Sequence, residues 1–172
     1  MNSSNTKLIL GNGVSKMFKI HCGLELQKEM DKILNSIDGE FEQGALAITS
    51  SSQAKNFKYA IHIMTMNYNR GVRSQKRKPT LETIKKSLQN IEKYLYLYAN
   101  NKPKPIKVVI PIMGCGAGGL DKKEVIELYR EFFSRKVDLV CELVIYGYNL
   151  EDYSLLIDSF EDNDKRKKNG KI

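Results

Sequence analysis

Val108-Val109-Ile110-Pro111-Ile112-Met113-Gly114-Cys115-Gly116-Ala117-Gly118-Gly119-Leu120-Asp121 is the stretch on which the reading of this chain turns. It opens as an apolar, largely β-branched run, which suits a buried strand. Four glycines follow within six residues. Asp121 and Glu124 then resemble a capping box that starts a helix. Strand, glycine turn and helix N-terminus are the parts from which α/β proteins build an anion cradle. Glycine tolerates φ > 0 and lets the backbone come close, so successive N–H groups converge on one charge. The helix dipole adds its positive end. A turn packed for shape alone needs fewer glycines, so the cradle is the preferred reading.

Gly114, Gly116 and Gly119 satisfy G-x-G-x-x-G, but the motif comes too late in the chain for a dinucleotide fold to follow it. No Gly-Lys-Ser/Thr follows, which excludes the nucleoside-triphosphate loop. Before the stretch, Thr80 caps a helix whose apolar residues Ile84, Leu88, Ile91, Leu95 and Tyr98 step by three and four. Asn100–Pro105 ends that helix, and a strand over Ile106–Met113 follows. After the stretch come a helix carrying Val125, Ile126, Tyr129, Phe132 and Phe133, a strand over Leu139–Tyr146, and a final helix capped by Asn149. Residues 161–172 form a basic tail expected to be disordered.

The first half follows the same alternation. A short apolar run, Leu8-Ile9-Leu10, ends at Gly11-Asn12-Gly13. A helical pattern runs from Val14 to about Leu34 and is interrupted at Gly23. Ala45–Thr49 and Lys58–Met66 read as strands, the second apolar on both faces and so central. His62 inside it is expected to be a packed core residue. Strands alternating with helices predict a largely parallel sheet covered on both faces, with ligand loops at the C-terminal edge of the strands.

The totals are those of one globular domain: 172 residues, 41% hydrophobic, 28% charged. No apolar run is long enough to span a bilayer and the first residues lack a signal-peptide core, so the protein is expected in the cytoplasm without a membrane partner. Cys22, Cys115 and Cys141 lack metal-site spacing and read as reduced thiols; with two histidines, no metal site is expected. The net charge of +8 is concentrated in Arg70, Arg73, Lys76, Arg77 and Lys78, and in Lys165, Arg166, Lys167, Lys168 and Lys171. These segments are either a polyanion patch or a solvated loop and tail. The second reading is preferred, because no aromatic residues interleave with the tail charges.

With these motifs in hand, the chain resembles the macro domain family over about Asn2 to Phe160. Asn2-Ser3-Ser4-Asn5 stands for the family's Asn-Ala-Ala-Asn segment. Gly11-Asn12-Gly13-Val14 stands for its Gly-Gly-Gly-Val loop. Gly23–Glu29, Gly44–Thr49, Lys58–His62 and the glycine loop after Ile110 follow in the family's order. The resemblance implies a three-layer α/β/α sandwich over residues 1–160, with a mostly parallel sheet. It implies ADP-ribose as ligand, without a cofactor. ADP-ribosylated protein is the implied partner.

By position, Asn5 would hold the distal ribose and be the catalytic residue if there is one. Gly11, Asn12, Gly13 and Val14 would wrap that ribose and the diphosphate. Gly114, Cys115, Gly116, Ala117 and Gly118 would offer N–H groups to the phosphates. Tyr146 would face the adenine, with Asn149 helping. The strand pair that members carry before the asparagine segment, and its adenine-binding aspartate, have no counterpart in the sequence. Some members hydrolyse ADP-ribosyl adducts or ADP-ribose-1''-phosphate; Ser15 stands where a hydrolytic branch has aspartate, so hydrolysis is left open. Cys115, at a helix N-terminus, is a candidate for a lowered thiol pKa, though a small loop residue is the simpler reading. The alternative function is a non-enzymatic module that binds nucleic acid or poly-ADP-ribose through the basic loop and tail.

Overall fold

The computed structural model describes residues 1–99, 105–135 and 141–169. Its centre is β3 (Tyr59–Met66), whose side chains alternate between two apolar layers. Ile61 and Ile63 join a buried cluster with Ile84, Leu88, Val108, Ile110 and Val125. Met64 points the other way, to Leu8, Leu10, Leu26, Met30 and Ala47. The first layer is supplied by α3 (Leu81–Ala99) and α4 (Lys122–Phe133), the second by α1 (Val14–Cys22) and α2 (Leu24–Ser36). Helices thus cover both faces of the sheet, as the alternation predicts.

The strands form two hydrogen-bonded groups, one of three and one of two. β1 (Asn2–Asn5) runs parallel to β3, and β2 (Leu46–Ser50) runs antiparallel to it. β4 (Ile106–Pro111) and β5 (Cys141–Tyr146) pair in parallel. The two groups meet where the Met1 amino group donates to the Val109 carbonyl at 2.5 Å. The antiparallel β2 departs from the expected alternation. Between β2 and β3 there is no helix, only a short connection, and that length permits a reversal but not a parallel crossover.

Other boundaries shift for local reasons. Gly23, at φ 74°, divides the predicted long helix into α1 and α2. Its lack of a Cβ admits the Gln53 side chain, whose Oε1 would lie 2.6 Å from one. β4 ends at Pro111, two residues before the expected Met113. Leu139 and Val140 of the last predicted strand lie outside the described residues. Helix α5 (Leu150–Asn169) continues well into the segment expected to be a disordered tail. Glu151 and Asp152 in its first turn suit the helix dipole. Among the described residues, no helix is long and apolar enough to cross a membrane.

The turn out of β4 is fixed from below. Tyr129 on α4 is fully buried, donates its hydroxyl proton to the Pro111 carbonyl at 2.8 Å, and accepts from the Met113 N–H at 3.1 Å. Burial pushes its pKa far above the usual phenol value. Tyr129→Phe is expected to lower stability by about 1–3 kcal/mol, because two buried main-chain groups lose their partner. The urea unfolding midpoint measures this.

Candidate functional site

The glycine loop starts where β4 ends. Gly114 and Gly119 hold φ of 79° and 75°. Two internal bonds close the loop, Leu120 N–H to the Gly114 carbonyl (3.1 Å) and Gly119 N–H to the Gly116 carbonyl (3.0 Å). Among the described residues, the N–H groups of Gly114 to Gly118 have no protein acceptor. Asp121 Oδ1 accepts the Glu124 N–H at 3.1 Å, so Asp121 caps α4, which begins at once. Gly118 is enforced by space: a Cβ there would lie 2.3 Å from the Gly114 oxygen and 2.7 Å from Pro79 Cγ. Gly116 is different, with nothing within 4 Å of a Cβ. It faces the open side of the loop.

The loop after β1 carries a second set of free amides. Gly13, at φ 58°, precedes α1 without a side-chain cap. Its carbonyl accepts from Lys16 and Met17, and the N–H groups of Gly11 to Ser15 have no acceptor among the described residues. Both loops lie at one edge of the sheet. Thr6 N–H donates to the Met66 carbonyl at the end of β3, and Tyr68 N–H to Thr6 Oγ1. Pro79, from the segment leaving β3, packs under Gly114 and Gly118.

Asn5 sits at this edge, buried, with its amide turned on its own loop. Oδ1 accepts from Lys7 N–H (3.1 Å) and Ile9 N–H (3.2 Å), and Nδ2 donates to the Ile9 carbonyl (2.9 Å). Those bonds hold Leu8 in a left-handed conformation, φ 52°, which a branched residue adopts only when its surroundings over-determine it. The second Nδ2 proton has no acceptor among the described residues.

Ser15, at the start of α1, is also buried. Its hydroxyl donates to Asn2 Oδ1 at 2.9 Å. Asn2 Nδ2 donates to His62 Nδ1 (3.0 Å), which leaves the imidazole proton on Nε2, and Nε2–H donates to Thr49 Oγ1 (2.8 Å). Thr49 in turn donates to the Ser50 carbonyl. This chain ties the start of α1 to three strands. His62 is held neutral, its pKa lowered to about 4 by burial, with the nearby Met1 ammonium acting in the same direction. The core reading of His62 holds, and the polar chain around it went unread in the sequence.

Cys115 does not carry a lowered pKa. Burial, with the Asp121 carboxylate second, pushes its thiol up to about 11. The helix end does not prevail, and the side chain is a weak nucleophile near neutral pH. Tyr146 ends β5 opposite Pro111 and is 59% exposed; Tyr148, 86% exposed, follows two residues later. Asn149 Oδ1 accepts the Asp152 N–H at 2.9 Å, so its amide oxygen is engaged as the cap of α5. Burial alone would raise the Asp152 pKa, but the Lys122 ammonium at 2.5 Å and the Tyr148 N–H hold it low. Among the described residues, no cluster of His, Cys, Asp and Glu has the makings of a metal site.

Fold and site together define a three-layer α/β domain with two arrays of unpartnered main-chain N–H groups at one sheet edge. The family model of the macro domain matches residues 1–129. A mutant macrodomain of Oceanobacillus iheyensis solved with ADPR has TM-score 0.75 at 20% identity, covering 95% of this chain and 84% of that one. A Trypanosoma brucei macrodomain in complex with ADP has TM-score 0.68 at 16% identity, covering 92% and 60%. The macrodomain of Mycobacterium tuberculosis DarG has TM-score 0.62 at 20% identity, covering 86% and 87%. A search of curated proteins returns no match. The chain belongs to the macro domain family.

Proposed function

We propose that this chain captures ADP-ribose, free or attached to protein, at the edge formed by the loops after β1 and β4. The observation that carries the reading is the row of free N–H groups from Gly114 to Gly118. A diphosphate needs several fixed donors, and backbone amides supply them without freezing side chains. The free amides of Gly11 to Ser15 give a second set at the same edge, suited to the adjoining ribose and phosphate. Asn5 keeps one donor toward that ribose, and Tyr146 offers an exposed ring for the base.

Capture rather than turnover is the activity these groups favour. Ser15 has no carboxylate and its hydroxyl is engaged with Asn2. Cys115 is protonated. At ligand about 100-fold above Kd, ADP-ribose is expected to raise Tm by about 5 °C or more. Isothermal titration of Gly116→Glu is expected to show binding lost with Tm of the free protein unchanged, because the added side chain fills the open face of the loop. Asn5→Ala is expected to weaken binding and also lower Tm, because the Leu8 turn loses its support. No Tm rise at millimolar ADP-ribose overturns the reading, and release of ADP-ribose from a modified protein above the blank overturns the capture-only part.

A further inference from the structure

Lys78 enters the sequence reading only as one of the basic-loop charges, yet the fold delivers it to the glycine loop. Its Nζ lies 3.5 Å from the point that a Cβ on Gly119 would occupy. We infer that Lys78 is a further ligand-binding residue, whose ammonium meets the phosphate oxygens of an anion held on the Gly114–Gly118 amides. The identity of that anion as ADP-ribose rests on the reading above; the anion site itself does not.

Three observations support the assignment. First, the Lys78 backbone is fixed at the loop. Its carbonyl accepts from Gln43 Nε2 at 3.3 Å, and the same nitrogen donates to the Thr65 carbonyl of β3 at 2.7 Å. One residue earlier, the Arg77 carbonyl accepts the Asn67 N–H at 2.8 Å. One residue later, Pro79 is buried against Gly114 and Gly118. Thr80 and Thr83 then close a reciprocal cap on α3, with both bonds at 3.2 Å.

Second, the ammonium is available. Lys78 is exposed and has no carboxylate partner among the described residues, whereas Asp121 caps α4 and Asp152 pairs with Lys122. Third, the chemistry is complementary. Neutral amides recognise the shape of a diphosphate, and a flexible ammonium adds net charge and a charge-assisted bond. Arg70, Arg73, Lys76 and Arg77 precede Lys78 on the same loop and raise the local positive potential.

The test is isothermal titration of the full chain with ADP-ribose and, separately, inorganic pyrophosphate, at about 50 and about 300 mM salt. Lys78→Gln is expected to weaken both ligands about tenfold at low salt and much less at high salt. Lys78→Arg is expected to retain most of the affinity, and Lys93→Gln on α3, which carries the same charge change, to leave it unaltered. Equal Tm values of the free proteins show that folding is intact. Wild-type affinity in Lys78→Gln at low salt overturns the inference while leaving the ADP-ribose reading in place. Lys78-dependent binding of pyrophosphate without binding of ADP-ribose overturns that reading and upholds the anion site. No binding of either ligand overturns both.

Discussion

Gly118→Ala is expected to weaken ADP-ribose binding by at least about 100-fold and to lower stability by about 1–3 kcal/mol. The added methyl would sit 2.3 Å from the Gly114 carbonyl oxygen, a contact between backbone atoms that no rotamer change relieves. Pro79, at 2.7 Å, blocks the other direction. The loop must open, which separates the Leu120 N–H from the Gly114 oxygen and scatters the free amides. Gly116→Ala is the matched comparison. Its methyl meets nothing within 4 Å and its φ lies outside the left-handed region, so the fold should be unaffected. Titration of ADP-ribose, beside urea unfolding of both variants, reads the contrast. Equal affinity in Gly118→Ala and wild type would show that the amide row is not the binding element.

The second large effect is acid sensitivity through His62. Its pKa is lowered in the folded protein to about 4 from an ordinary 6.5. Between those values the unfolded chain takes up a proton that the native chain refuses, so stability is complete above pH 6.5 and falls as pH drops toward 4. The loss approaches about 3 kcal/mol. Protonation makes both ring nitrogens donors, and Nδ1 then faces the Asn2 amide group that donates to it. The chain from Ser15 to Thr49 breaks with it. The Met1 amino group, lowered to about 6 by burial, works with the same sign between pH 8 and 6. His62→Leu separates the two. It is expected to be less stable at pH 7, because Asn2 and Thr49 lose a partner, and to show a flat urea midpoint between pH 6 and 4.5. A wild-type midpoint that does not change across that interval would rule out the neutral, buried imidazole.

These effects differ in how far they are legible without a fold. The glycine loop after β4 is a local object: an apolar run, glycines and an Asp121 cap are contiguous, and local sterics dictate the turn. The amphipathic helix α3 is legible for the same reason, since Ile84, Leu88, Ile91 and Leu95 repeat with the helical period and all end up buried. β1 is the opposite case. Asn2-Ser3-Ser4-Asn5 has low strand propensity, and its residues alone point to no strand, the apolar run being Leu8-Ile9-Leu10 beside it. The strand forms because its polar side chains find partners across the sheet. Asn2 meets His62 and Ser15, and Ser3 meets Thr65 at 2.9 Å. Such partners lie 13 to 62 residues away in the chain and leave no periodic trace.

The same distinction applies to the site. Sequence by itself determined the family, the two glycine loops and their place at the C-terminal ends of parallel strands, because these depend on contiguous residues and backbone sterics. Tertiary structure alone decided that the Asn5 amide supports the Leu8 turn, that Ser15 faces inward, and that the Cys115 thiol stays protonated. It also decided that Lys78 stands at Gly119. Those properties come from desolvation and from contacts between segments far apart in the chain, which exist only once the layers have closed around the sheet.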